Sequence, residues 1–150
     1  IVNLNCSDNA LTSLDLGNYS SLTLLYCSKN KLSSLNLAGC EKIETLECYD
    51  NQISSLDVSR FSELKALNCY GNKIDSLDLR DNSKLTNVNC LKNNMTSLKV
   101  AGLKELSNLY CYGNNFTVLD ITGCEQLNYL VENGKYDDSV SYSLGNFILR

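Results

Sequence analysis

The strongest constraint on this chain is a period. The stretch Leu64 to Lys84 (LKALNCYGNKIDSLDLRDNSK) aligns without insertion on Ile43 to Glu63 (IETLECYDNQISSLDVSRFSE) and on Leu85 to Glu105 (LTNVNCLKNNMTSLKVAGLKE). The 21-residue register runs from Ile1 to Gln126, six full units, and a partial seventh (LNYLVEN) runs from Leu127 to Asn133. A unit this short cannot bury an apolar face alone, so it stacks on copies of itself in a solenoid. Positions 1 to 21 are numbered here within each unit.

Positions 1, 4 and 6 are apolar, as in Leu64, Leu67 and Cys69, and positions 4 and 6 alternate with polar residues, the pattern of a half-buried strand. A second alternating pair lies at positions 14 and 16, such as Leu77 and Leu79. The segment holding it is too short for a useful helix, so it reads as a second extended piece. The chain has no Pro and only 8 Gly, which leaves its turns to Asn, Ser and Asp side chains.

Eight cysteines in 150 residues suggest a disulfide framework until they are placed. Cys6, Cys27, Cys48, Cys69, Cys90 and Cys111 recur at position 6 of successive units. Stacked strands lie ~4.8 Å apart with one column's side chains parallel, whereas a disulfide needs Cβ atoms ~3.8 Å apart and turned toward each other. The reading is a ladder of reduced, buried thiols acting as small apolar residues. No C-x-x-C pair points to a metal, and Cys40 and Cys124, at position 19, lie too far apart to join.

Position 9 is Asn in all six units: Asn9, Asn30, Asn51, Asn72, Asn93 and Asn114. Where the chain leaves its strand and turns inward, peptide groups lose their ladder partners while becoming buried. A carboxamide supplies two donors and an acceptor in little volume. Columns of Asn are expected to bond along the stack.

The unit L-x-x-L-x-C-x-x-N-x-[LIMF]-x-x-L-[DN]-[LVI] resembles a leucine-rich repeat, of the short 21-residue bacterial type with Cys at position 6, over residues 1–133. The resemblance implies a β-rich, right-handed solenoid with a parallel sheet built from the L-x-x-L-x-C segments. In larger members of that family the far side carries helices; here the second alternating pair reads as short extended segments forming a second parallel ladder, with little or no helix. It also implies recognition of other molecules, usually proteins, and a place in a larger bacterial surface or secreted protein. Residues 134–150 (GKYDDSVSYSLGNFILR) abandon the period and read as a C-terminal cap or the start of a following segment.

On the first strand, positions 2, 3, 5, 7 and 8 are expected to face solvent. Position 5 carries Tyr26, Glu47, Asn68, Asn89 and Tyr110, position 7 carries Tyr49, Tyr70, Leu91 and Tyr112, and Tyr129 falls at position 3. These ten residues are the candidate binding site. Aromatics also suit strand surfaces for packing reasons alone, but positions 12 and 13, equally exposed by pattern, hold none. Tyr gives large contact area at low entropic cost and keeps a hydroxyl for bonding. A protein partner is therefore expected on this face. Carbohydrate is the alternative, since sugars stack on Tyr and bond Asn and Glu; a passive spacer is a third reading.

Position 15 forms an acidic column, Asp15, Asn36, Asp57, Asp78, Lys99 and Asp120. Asp57 and Asp78 should lie ~4.8 Å apart, and the column reads as a solvated stripe that could attract a cation. The net charge of -4 argues against phosphate-backbone binding. No apolar run approaches the ~20 residues that span a bilayer. The chain has no His, no Gly-rich phosphate loop and no H-E-x-x-H, so neither enzyme chemistry nor a cofactor is expected.

Overall fold

The computed structural model describes residues 1–17, 19–127 and 148–149. Short strands repeat along the chain: β1 (Asn3–Asn5), β2 (Leu24–Tyr26), β3 (Thr45–Glu47), β4 (Ala66–Asn68), β5 (Ser76–Asp78), β6 (Asn87–Asn89), β7 (Ser97–Lys99), β8 (Asn108–Tyr110), β9 (Val118–Leu119) and β10 (Ile148–Leu149). A six-stranded parallel sheet runs β1-β2-β3-β4-β6-β8. Each residue in it pairs with its counterpart in the next unit: Leu25 with Leu46, Leu46 with Leu67, Leu67 with Val88. The chain is a parallel β-solenoid.

Backbone bonds carry this front ladder beyond the strands. The position 6 amide of Cys27 donates to Glu47 O at 2.8 Å, and the position 8 amide of Lys29 donates to Tyr49 O at 2.8 Å. The chain then turns in, with position 8 in the left-handed region: φ is 57° at Asp8, 53° at Lys29, 51° at Asp50, 66° at Gly71, 49° at Lys92 and 71° at Gly113. That conformation costs most residues about 1–2 kcal/mol, and only two of the six units place Gly there.

The Asn column answers that turn. Asn72 Nδ2 donates to Cys69 O (3.1 Å) in its own unit and to Cys48 O (3.0 Å) in the preceding one, while its Oδ1 accepts from Ile53 N (3.0 Å). Asn30, Asn51 and Asn93 repeat the pattern. The carboxamides therefore stitch each unit to the backbone of the one before it. The column thus bonds along the stack, through backbone atoms, and among the described residues no bond joins one of its carboxamides to another.

The return half closes through two consecutive tight turns, for example Phe61 N to Val58 O (3.0 Å) and Leu64 N to Phe61 O (3.1 Å). They bury position 19 (Cys40, Phe61, Asn82, Leu103, Cys124), a column whose inward placement the alternation did not reveal. At this position Asn82 Nδ2 bonds Val58 O (2.8 Å) and Cys124 Sγ bonds Val100 O (3.1 Å), the same carbonyl one unit back. The core is the narrow column expected of stacked coils, filled by positions 1, 4, 6, 11, 14, 16 and 19.

The second ladder is discontinuous. β5 pairs with β7, β9 pairs with β10, and isolated bridges join Asp15 to Asn36 and Lys99 to Asp120. Among the described residues no such pairing reaches Asp57. The readings made for residues 128–147, the proposed cap among them, lie outside the described residues, except that Ile148 and Leu149 add a strand beside Val118 and Leu119.

Candidate functional site

Nine of the ten candidate residues fall on the front sheet or on the turn that leaves it; Tyr129 lies outside the described residues. Column 5 brings Tyr26, Glu47, Asn68, Asn89 and Tyr110 into one row, since each is the last residue of its strand. Column 7 aligns Tyr49, Tyr70, Leu91 and Tyr112 beside it. These four are half-buried instead of fully exposed, and Ser28 in the same column is only 1% exposed. Large side chains one strand spacing apart cover one another, so the column is a packed ridge with its outer surface free. Lys92 Nζ lies 5.7 Å from the centroid of the Tyr70 ring, within cation–π reach. Tyr110 is the most exposed of the candidates at 46%.

The asparagines of column 5 have a structural duty that alternation could not show. Asn68 Oδ1 accepts from Tyr70 N (3.4 Å) and Asn89 Oδ1 from Leu91 N (3.3 Å), short turns that aim the ridge residues. Where Glu47 replaces Asn, the amide of Tyr49 turns to Ser28 Oγ of the preceding unit (3.2 Å). Position 3 adds what the candidate set lacked. Ala66 stands in a row with Thr45 and Asn87, and its small side chain leaves a hollow of about 190 Å³ lined by Glu47, Asn68, Asn87, Asn89 and Tyr110.

The acidic column on the far side resolves into local bonds. Asp57 Oδ1 accepts from Ser59 N (3.0 Å) and Ser59 Oγ (2.7 Å), which holds its carboxyl below the ordinary range. Asp78 takes the Arg80 guanidinium at 2.7 and 2.9 Å and Lys99 Nζ at 3.5 Å. The Arg80 hydrogen bonds hold its carboxyl well below the usual carboxylate range. The same Asp or Asn bond to the amide two residues on recurs at Asp15, Asn36 and Asp120. Position 15 is thus a turn-making column. The expectation of an Asp57–Asp78 rung fails because those two units do not pair there. Among the described residues no group of three or more His, Cys, Asp or Glu side chains could hold a metal. Nor is any described helix long and apolar enough to cross a membrane.

A solved structure titled a functional domain of InlJ from Listeria monocytogenes that includes a cysteine ladder superposes on 82% of this chain with a TM-score of 0.74, at 24% identity. The fold is leucine-rich-repeat-like. The match takes in 30% of the neighbour's chain, so this chain spans under a third of its length. No family model and no curated protein matches the sequence.

In this leucine-rich-repeat-like coil the position 6 thiols are all free, and those of units 2 to 6 are buried. Burial pushes the thiols of Cys27, Cys69 and Cys111 up to about 12, and those of Cys48 and Cys90 well above the ordinary value. A thiol so shifted is neither nucleophile nor ligand at neutral pH. The ladder is core, and columns 3, 5 and 7 supply the side chains that the front face turns outward.

Proposed function

We propose that this chain is a non-enzymatic recognition module that contacts a protein partner through the ridge Tyr49–Tyr70–Leu91–Tyr112, flanked by Tyr26 and Tyr110, with Tyr129 counted in by its repeat position alone. The observation that carries the reading is the ridge's continuity: four successive units present three aromatics and a Leu in one row on a hydrogen-bonded sheet. Their backbone is fixed by ladder bonds on either side, such as Cys69 N to Asn89 O (2.8 Å) and Gly71 N to Leu91 O (3.0 Å). Such a row binds without paying much entropy to order itself, and Tyr is enriched among the residues that dominate interface energetics. Likeness to a bacterial domain supports display outside a bacterial cell as part of a longer protein. The paired, local roles of the position 15 carboxylates and the raised thiols favour binding over catalysis.

The test is capture from host-cell and bacterial extracts, followed by titration of the purified binder against wild type and the double variant Tyr70→Ala, Tyr112→Ala. A loss of at least about 30-fold in affinity is expected, one hot spot's ~2 kcal/mol, with the thermal midpoint kept. Retained affinity in the double variant would refute the ridge as the contact surface.

A further inference from the structure

We propose that the front-face hollow over Ala66 is a binding site for a neutral, hydroxyl-rich ring, a pyranose unit of a glycan. This goes beyond the protein-contact reading: the site lies in columns 3 and 5 and meets the contact surface at Tyr110, while the ridge itself is column 7.

The hollow's polar groups are oriented and unspent. Asn68 and Asn89 each commit Oδ1 to a backbone amide two residues on (3.4 and 3.3 Å), which fixes the carboxamide's direction. Their Nδ2 groups have no partner among the described residues. Glu47, in the same row, is half-buried, and no cation or donor among the described residues meets its carboxylate. Along the coil the row therefore reads acceptor, donor, donor, one strand spacing (~4.8 Å) apart. Tyr110, 46% exposed, closes the far end with a ring.

A ligand for this row must donate at Glu47, accept from both amides and offer an apolar face to Tyr110. A guanidinium or ammonium satisfies the carboxylate but brings only donors to the two amide NH₂ groups. A phosphate or carboxylate bonds the amides and is repelled by Glu47. An extended peptide pairs its backbone with the edge of a sheet and presents side chains to a sheet face. A hydroxyl both donates and accepts, and hydroxyls two carbons apart on a pyranose ring span about one strand spacing, ~4.8 Å. The C–H face of the ring covers Tyr110 as apolar surface. The hollow, about 190 Å³, is an open depression over Ala66 bounded by these side chains.

The probes are maltose, lactose, cellobiose and N,N′-diacetylchitobiose, titrated into ¹⁵N-labelled protein while the side-chain amide signals of Asn68 and Asn89 are followed. At least one disaccharide is expected to shift both signals saturably with a Kd of about 1 mM. Ala66→Leu, which fills the hollow without removing a polar group, and Asn89→Ala should each weaken that Kd at least tenfold, while Tyr70→Ala with Tyr112→Ala leaves it unchanged. The proposal is overturned if no disaccharide shifts the two signals, if the Asn68 shift survives unchanged in both Ala66→Leu and Asn89→Ala, or if hexa-arginine moves these signals and the sugars do not. Because the two sets of variants are disjoint, the ridge and the hollow fail or stand separately.

Discussion

The coil has two ladders built by the same chain at the same period, and only one of them is continuous. On the front, six strands pair in register and every unit brings the same two devices, a thiol at position 6 and a carboxamide at position 9, both buried in units 2 to 5. On the back, the rungs of units 4 to 6 join opposite charges at position 15. Asp78 pairs with Lys99, and Lys99 bridges to Asp120. Where Asp57 would face Asp78, like charge against like, no rung forms among the described residues. Like charges directly opposite destabilise a cross-strand pair. On the other side of Asp57 the back opens into a cavity of about 380 Å³ lined by Asn36, Asp57, Arg60 and Phe61, and Phe61 is the bulkiest of the buried side chains at position 19. The lesson is that a repeat guarantees stacking only in columns whose residues tolerate their own copies as neighbours. Apolar thiols do, and so do carboxamides that bond the neighbouring unit's backbone; carboxylates do not.

The contrast breaks most visibly at Asn72. Asn72→Ala removes two donor bonds and one acceptor bond at buried backbone groups, each worth about 1–3 kcal/mol when left unmade. A loss of about 3 kcal/mol or more in urea unfolding is expected, against under about 1 kcal/mol for Asp57→Ala, whose single-turn bonds are exposed. Equal costs would erase the distinction between the ladders.

The two ladders should also fail at opposite ends of the pH scale. A thiol raised in the folded state binds its proton more tightly there than in the unfolded chain, so its contribution is complete below the ordinary value of 9.0 and drains away up to about 12. At one unit above the ordinary value each of these three thiols should cost about 1.4 kcal/mol. Asp78 behaves in the reverse sense: its depressed carboxyl helps above the unfolded pKa of about 3.9 and is lost as pH falls below it. Chemical denaturation from pH 8 to 10 checks the first, with Cys69→Ala expected to flatten the slope. Amide exchange of β5 and β7 below pH 4 checks the second.

The smallest effect would sharpen the comparison. Asp57→Asn keeps an oxygen for Ser59 N and removes the like charge beside Asp78. It should let the third unit join β5, slowing exchange of the Leu56 and Val58 amides and adding about 0.5 kcal/mol. Unchanged exchange there would assign the gap to Phe61 and the cavity instead of to charge.

Much of the front was legible from spacing alone. The strands at positions 3 to 5, the inward thiols and the buried Asn column all follow from a strict 21-residue period laid on alternating hydrophobicity. The candidate columns 5 and 7 were placed by the same logic, and Tyr26, Glu47, Tyr49, Asn68, Tyr70, Asn89, Leu91, Tyr110 and Tyr112 do lie together. What spacing could not show was how far each reaches solvent. Column 7 is half-buried because neighbouring rings shade one another, and the hollow exists because one residue of column 3, Ala66, is smaller than those beside it.

By itself, then, the amino-acid order determined which side chains share a row, because a fixed period under hydrogen-bonded stacking leaves one register that keeps every apolar position inside. It could not determine the left-handed turn at position 8, taken by Asp8, Lys29, Asp50 and Lys92 as well as by glycine, nor the gap in the second ladder, nor the row of unspent amides beside Glu47. Those depend on what each group meets across the stack. Backbone strain, charge opposition and unequal side-chain volumes are properties of neighbours in space, and only the assembled coil decides which neighbours they are.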